Sequence, residues 1–343
     1  MKLKYVSLVA LYLFGQAAPN LVSAQIPPLA AAQSINATPA AREPKSINDW
    51  LLRLHETSKR RSYVGTYVVS SGGQIQSAKI WHVCEGNQQM ERVDNLTGAP
   101  RSTFRHNDKV VTFMPEKKVV RTEKRDVPGN FPELVQSADH QIAEFYKLKA
   151  EGVERIAGLE SDVVVLTPKD TMRFGYRVWT EQKKGLVVKL QTLDSDGRVL
   201  EQAVFSELQL DVPVKMDQLL QSMGKVEGYR VEESALVKTT ASAEGWRLVT
   251  PVAGFKPMSC YKRPTSGAVL ADNPMQWVFS DGLASVSLFV EPFDRQRHRQ
   301  ESAMSMGATN TITRQLGSYW LTAMGEVPMS TLKQFSSGLE RKK

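Results

Sequence analysis

Apolar positions along the chain first recur with helical spacing and then alternate, and the switch falls at Ser62. Before it, Ser46 and Asp49 precede Trp50, Leu51 and Leu54, an N-cap followed by an apolar stripe that predicts a helix over 47–57. Lys59, Arg60 and Arg61 at its exit complement the negative end of the helix dipole. After it, Tyr63 to Val69, Lys79 to Cys84 and Val110 to Phe113 read as strands, separated by Ser71-Gly72-Gly73, Glu85-Gly86-Asn87 and His106-Asn107-Asp108. Ile142, Phe145, Tyr146 and Leu148 are spaced for one short helix over 138–148. The alternation then resumes at 162–166, 173–179, 186–190 and 199–207, with Asp194-Ser195-Asp196-Gly197 as the clearest chain reversal. Many strands and two helices predict a long curved antiparallel sheet whose apolar concave face lies under helices, with a closed barrel as the alternative.

Pro213, Gly224 and Gly228 punctuate a stretch in which Met216 to Met223 suits a short helix, so the expected linker is 212–229, between a first domain at 46–211 and a smaller second one at 230–343. The second domain carries strand-like runs at 246–249, 255–258, 276–279, 284–290 and 319–321. It closes with Leu332, Phe335 and Leu339 on one face of a helix over 330–341 that starts after Val327-Pro328. Residues 295–313, polar and poor in bulky side chains, are expected to form a long mobile loop.

Ahead of the folded part, Lys2 and Lys4, the apolar stretch from Tyr5 to Phe14 and Val22-Ser23-Ala24 describe an export signal over 1–24. Four prolines among many alanines make 25–45 a lead unable to bury a core. Of the 343 residues 41% are apolar and 23% charged, which excludes a disordered or collagen-like chain. The net charge of +8 drops to +6 when the signal is removed, favouring phosphate-bearing lipid or an acidic protein segment as partner over nucleic acid.

No HExxH, CxxC, GxSxG, P-loop or GxGxxG pattern occurs, so no cofactor, metal or catalytic residue is assigned. His82 and Cys84 share a strand face without further ligands, and Asp294, His298 and Ser302 recur every four residues as a triad along one helix would. Cys84 and Cys260 fall in different expected domains; they either pair, stapling the two, or remain small buried thiols. Surplus aromatic and methionine side chains in the first domain suit an apolar cavity, with Tyr67, Trp81, Met90, Phe104, Phe113, Phe145 and Tyr176 as candidate lipid contacts. Arg295, Arg297 and Arg299, with Trp277 and Phe279, are the candidate partner contacts in the second domain.

The runs Gly175-Tyr176-Arg177-Val178-Trp179, Leu193-Asp194-Ser195-Asp196-Gly197-Arg198-Val199-Leu200-Glu201-Gln202 and Val278 to Ser287 resemble the MucB/RseB family of periplasmic sigma-E regulators. Gly254-Phe255 and Gly325-Glu326-Val327-Pro328 look like that family too. The resemblance implies an α+β fold, with an unclosed N-terminal antiparallel β-barrel similar to the lipoprotein carriers LolA and LolB, and a smaller α/β sandwich-like C-terminal domain. It also implies a non-enzymatic periplasmic protein that holds the periplasmic part of a membrane anti-sigma factor of the RseA/MucA type. Such a protein shields its partner from proteolysis and is displaced by lipopolysaccharide or lipid fragments; a LolA/LolB-type carrier is the alternative. Asp196-Gly197 and Asp281-Gly282 are expected to serve chain reversal.

Overall fold

The computed structural model describes residues 46–124, 142–234, 236–263 and 273–342. The signal-like segment, the Pro/Ala-rich lead and positions 138–141 of the expected second helix lie outside them. Helix α1 (Ile47–Arg60) is capped by Ser46, whose hydroxyl accepts the Asp49 N–H at 3.0 Å. A meander follows: β1 (Tyr63–Ser71), β2 (Gln74–Glu85), β3 (Gln88–Asn95), β4 (Ser102–His106), β5 (Lys109–Met114) and β6 (Val119–Lys124). After α2 (Ile142–Phe145) it continues through β7 (Tyr146–Ile156), β8 (Leu159–Pro168), β9 (Gly175–Glu181), β10 (Val187–Leu193) and β11 (Val199–Leu210). Helix α3 (Met216–Met223) and β12 (Arg230–Ser234) complete the first lobe.

These strands form one sheet of twelve in the order β12-β6-β5-β4-β3-β2-β1-β11-β10-β9-β8-β7. It is unclosed, with β12 and β7 as its edges, and every pairing is antiparallel except β12 with β6. Helix α1 buries Trp50, Leu51 and Leu54 against Val164, Leu166, Tyr176, Val178 and Val187, while α3 buries Met216, Leu219 and Met223 against Val83, Met90, Phe104, Val111 and Phe113. Each fully buried side chain of this size stabilises the fold by about 1.5–3 kcal/mol, so both helices are held by their stripes rather than by propensity.

The second lobe has a seven-stranded sheet built from β13 (Val237–Lys238), β15 (Lys256–Lys262), β16 (Met275–Ser280), β17 (Ser285–Pro292), β18 (Ser302–Met306), β19 (Thr309–Leu316) and β20 (Tyr319–Gly325). Their order is β13-β15-β16-β17-β20-β19-β18. One face is covered by α4 (Met329–Gly338), whose Leu332 and Phe335 are fully buried among Phe255, Phe279, Val286, Leu288 and Leu321. A two-stranded ladder of β14 (Trp246–Leu248) and β21 (Leu339–Arg341) finishes the chain.

Four expectations are corrected. The helix over 138–148 is, within the described residues, only Ile142–Phe145; Tyr146 and Leu148 lie in β7, because alternation on a half-buried strand places apolar residues at positions a helix would also use. Residues 295–313 are no mobile loop: 302–306 and 309–313 belong to the β18/β19 hairpin, closed by Gly307 at φ +60. The helix over 330–341 stops at Gly338, because Leu339 turns extended and 339–341 pairs with β14. The segment 212–229 is no free linker, because α3 packs on the first sheet and β12 extends it to Ser234.

Candidate functional site

Two of the motifs singled out in the sequence, Gly254-Phe255 and the Asp281 turn, meet around Arg173, while Ser195, Asp196 and Gly197 of the other turn are exposed. Arg173 stands just before β9, its side chain wholly buried. Its Nε donates to Asp281 Oδ2 at 2.8 Å, and its two Nη groups donate to the Asp170 carboxylate and the Ala253 carbonyl. The guanidinium lies 4.1 Å from the Phe145 ring centre and 5.1 Å from that of Phe255, between one aromatic from each lobe. The approach requires a glycine at 254, which has φ +81 and whose Cβ would collide with Arg173 Nη2.

Asp281 does more than reverse the chain. Its Oδ1 accepts the Leu283 and Ala284 N–H groups at 3.0 and 2.8 Å, shaping the turn, while Oδ2 receives Arg173 and, at 3.3 Å, the Tyr146 hydroxyl. Burial pushes the Asp281 carboxyl above its usual range, and the two backbone N–H groups and Arg173 pull it partly back. Burial likewise raises the hydroxyls of Tyr146 and Tyr176, so both stay protonated at neutral pH. A second tie crosses the seam where Thr331 of α4 donates to the Met172 carbonyl at 2.8 Å. What this cluster can do chemically is hold: Arg173, Asp281 and Tyr146 are bonded to one another in a buried seam, beside a Tyr176 hydroxyl that is buried without a hydrogen-bond partner.

The seven candidate lipid contacts fall in three apolar clusters of the described residues. Met90, Phe104 and Phe113 are buried beneath α3, with Trp81 half-buried at the margin of the same cluster, its ring 5.2 Å from Lys79 Nζ and 5.1 Å from the Arg92 guanidinium. Tyr176 and Phe145 belong to the α1 cluster, and Tyr67 to a third one with Tyr63, Ile80 and Phe205. Burial, and secondarily Glu91, pushes the Tyr67 hydroxyl up to about 12.

Of the candidate partner contacts, Arg295 and Arg299 are exposed, whereas Arg297 is engaged by Asp294 at 3.0 Å and Glu291 at 3.3 Å. Phe279 is a core residue 5.0 Å from the Phe335 ring and unable to meet a partner; Trp277, 4.5 Å from Phe279, is half-buried. The triad spacing is dismantled. His298 stacks on Trp320, its Nδ1 accepting the Asp294 N–H at 2.9 Å and its Nε2 lying 3.1 Å from Glu291, while the Ser302 hydroxyl bonds Thr313 at 2.9 Å. Cys84 and Cys260 are both free thiols, one on β2 of the first sheet and the other on β15 of the second. His82 stacks on Tyr63, and among the described residues no group of His, Cys, Asp and Glu is placed to hold a metal ion.

An open twelve-stranded sheet, seamed by buried polar contacts to a smaller sheet under one helix, defines a two-lobed scaffold without an assembled catalytic constellation among the described residues. Two family models match it: the MucB/RseB N-terminal domain over residues 46–223 and the MucB/RseB C-terminal domain over residues 240–340. The chain belongs to the MucB/RseB family. Over 317 residues it is 27% identical to a Pseudomonas aeruginosa protein named sigma factor AlgU regulatory protein MucB, covering 88% of this chain and 92% of that one. It is 21% identical over 292 residues to the sigma-E factor regulatory protein RseB of Escherichia coli K12, covering 84% and 89%. A solved structure of MucB in complex with MucA(peri) is similar at a TM-score of 0.65 and 25% identity, covering 87% of this chain and all of that one. Both relatives are named as regulatory proteins.

Proposed function

We propose that this protein is a periplasmic negative regulator of an envelope-stress sigma factor pathway. It binds the periplasmic part of a membrane anti-sigma factor, shields it from the first proteolytic cut and lets go when lipopolysaccharide or another lipid binds. The observation that carries this is that both family domains follow one another along a single chain similar, over 87% of its length, to MucB solved with MucA(peri). Lipid and peptide act as linked ligands: the amphiphile releases the peptide only by favouring a state that the peptide does not. Met90, Phe104 and Phe113 are buried beneath α3, so the amphiphile takes the place of that helix. Lifting that helix uncovers Met90, Phe104 and Phe113 with Trp81 as one surface, flanked by the positive charges of Lys79 and Arg92.

The test is binding of the recombinant periplasmic segment of the anti-sigma factor to the whole protein, with and without lipopolysaccharide, together with its cleavage by the site-1 protease. Binding and protection that lipopolysaccharide abolishes are expected; no binding in either condition would overturn the proposal. Delivery of a lipoprotein to a membrane acceptor, without peptide binding, would favour a carrier instead.

A further inference from the structure

Sheet edges expose unpaired backbone groups, and proteins blunt them with charges, bulges or brevity. Here β7 carries Lys147, Lys149, Glu151, Glu154 and Arg155 and a bulge at Gly152; β12 carries Arg230, Glu232 and Glu233; β13 is two residues long and includes Lys238. The remaining large-sheet edge, β18, reads Ser302-Ala303-Met304-Ser305-Met306, without charge, proline or bulge, and Met304 and Met306 are 62% and 63% exposed. Its hairpin closes with Met306 opposite Thr309, so the alternation of an antiparallel pair turns the N–H and C=O groups of Ala303 and Ser305 outward.

Beside this edge runs an open groove of about 450 Å3 between β18, β19 and α4, lined by Ala303, Ile312, Arg314, Lys333, Ser336 and Ser337. Among the described residues Arg314 and Lys333 take part in no ion pair. The Ser336 hydroxyl is buried without a hydrogen-bond partner, and Glu301 at the rim is engaged by the Gln315 N–H at 2.9 Å. Ala303 is level with Ile312 and so shares the α4 side of the sheet, while Met304 lies on the opposite side.

We infer that β18 is a docking strand for an extended peptide segment that alternates acidic and apolar residues. Paired with the outward groups of Ala303 and Ser305, such a segment places its acidic side chains in the groove toward Arg314 and Lys333, and its apolar ones beside Met304 and Met306. This deepens the function proposed above and rests on it only for the identity of the peptide.

The experiment uses the whole protein and fluorescence anisotropy of a labelled eight-residue peptide of alternating Glu and Val, with alternating Lys and Val as the control. The Glu/Val peptide is expected to bind and the Lys/Val peptide not to. Ala303→Pro removes an outward donor and is expected to weaken binding roughly tenfold or more. Ala303→Glu keeps the donor but sets a like charge in the groove, so it decides the matter if the proline variant melts early. Absence of Glu/Val binding, or binding that both variants leave unchanged, overturns the inference, as does an edge-to-edge dimer of the protein that Ala303→Pro abolishes. The anti-sigma segment run alongside separates the two proposals. Segment binding insensitive to both variants sinks the docking strand alone; Glu/Val binding sensitive to them, without segment binding, sinks the regulator alone.

Discussion

A buried arginine shared by two aromatic rings and two carboxylates is stable only as a complete set, since removing one partner leaves a desolvated charge. Arg173→Ala and Asp281→Ala are each expected to cost about 3–5 kcal/mol in denaturant unfolding, and the double variant less than their sum. Strict additivity would mean that the two side chains do not act together. The carboxyl of Asp281 is raised in the fold by burial, so the folded state holds its proton more tightly than the unfolded chain does. Stability from this group is therefore full below the unfolded range near 3.8 and declines as pH rises through the folded value. Relative to Asp281→Asn, the wild type should lose melting temperature across that window; the opposite slope would show that the Arg173 charge outweighs burial.

Also at this scale, burial and then Glu244 push the Cys260 thiol from 9.0 to about 11, which makes its thiolate roughly a hundredfold scarcer near neutral pH. Alkylation should leave Cys260 untouched in the folded protein and modify both thiols once it is unfolded without reductant. Fewer than two reactive thiols in the unfolded state would contradict the free-thiol assignment.

Among the elements, α3 is short and its N-cap, Lys215, supplies no side-chain hydrogen bond, so packing alone keeps it in place. Leu219→Ala is expected to cost about 2–5 kcal/mol and to raise binding of a hydrophobic dye, by loosening the helix over Met90 and Phe113. An unchanged dye signal would mean that this face is not released with α3. Elements with one wet face and one dry face were legible in the sequence: α1 with its cap, and the β1/β2, β2/β3, β4/β5 and β10/β11 hairpins with their turn residues. The β18/β19 hairpin was not, because an edge strand of Ser, Ala and Met has no apolar alternation and only Ile312, Asn310 and Ala308 of its partner region turn inward. The start of β7 was misread because Ile142, Phe145, Tyr146 and Leu148 satisfy both periods at once.

For the molecule as a whole, the family resemblance pointed to the right scaffold, and its motif residues mark the seam between lobes: Gly254 opens room for Arg173, and the Asp281 turn receives it. Arg173 itself carried no signal beyond being a charge at the start of the expected strand over 173–179, which in the fold begins at Gly175. The lipid candidates were chosen by residue type, which locates apolar side chains but not the element that covers each, and three clusters share them. Basic residues outside the fold's own pairs should govern long-range attraction to an acidic partner. Neutralising Arg295 and Arg299 together is expected to slow association and flatten its salt dependence, with Arg297→Gln contributing less because Asp294 and Glu291 already answer its charge. An equal effect from Arg297→Gln alone would show that the intramolecular pairs give way on binding.

The dry guanidinium between Phe145 and Phe255 also limits how the protein can transmit a signal. A hinge with a watery, adaptable interface could open by degrees, but a desolvated charge has no comfortable intermediate position. A separation of the lobes at this point would therefore be all-or-none, with the arginine either fully seated or fully expelled into solvent. Under the function proposed above, an amphiphile that expels it must favour the open form by several kcal/mol, on the order of a thousandfold difference in affinity, so weak or incidental amphiphiles would leave the molecule silent.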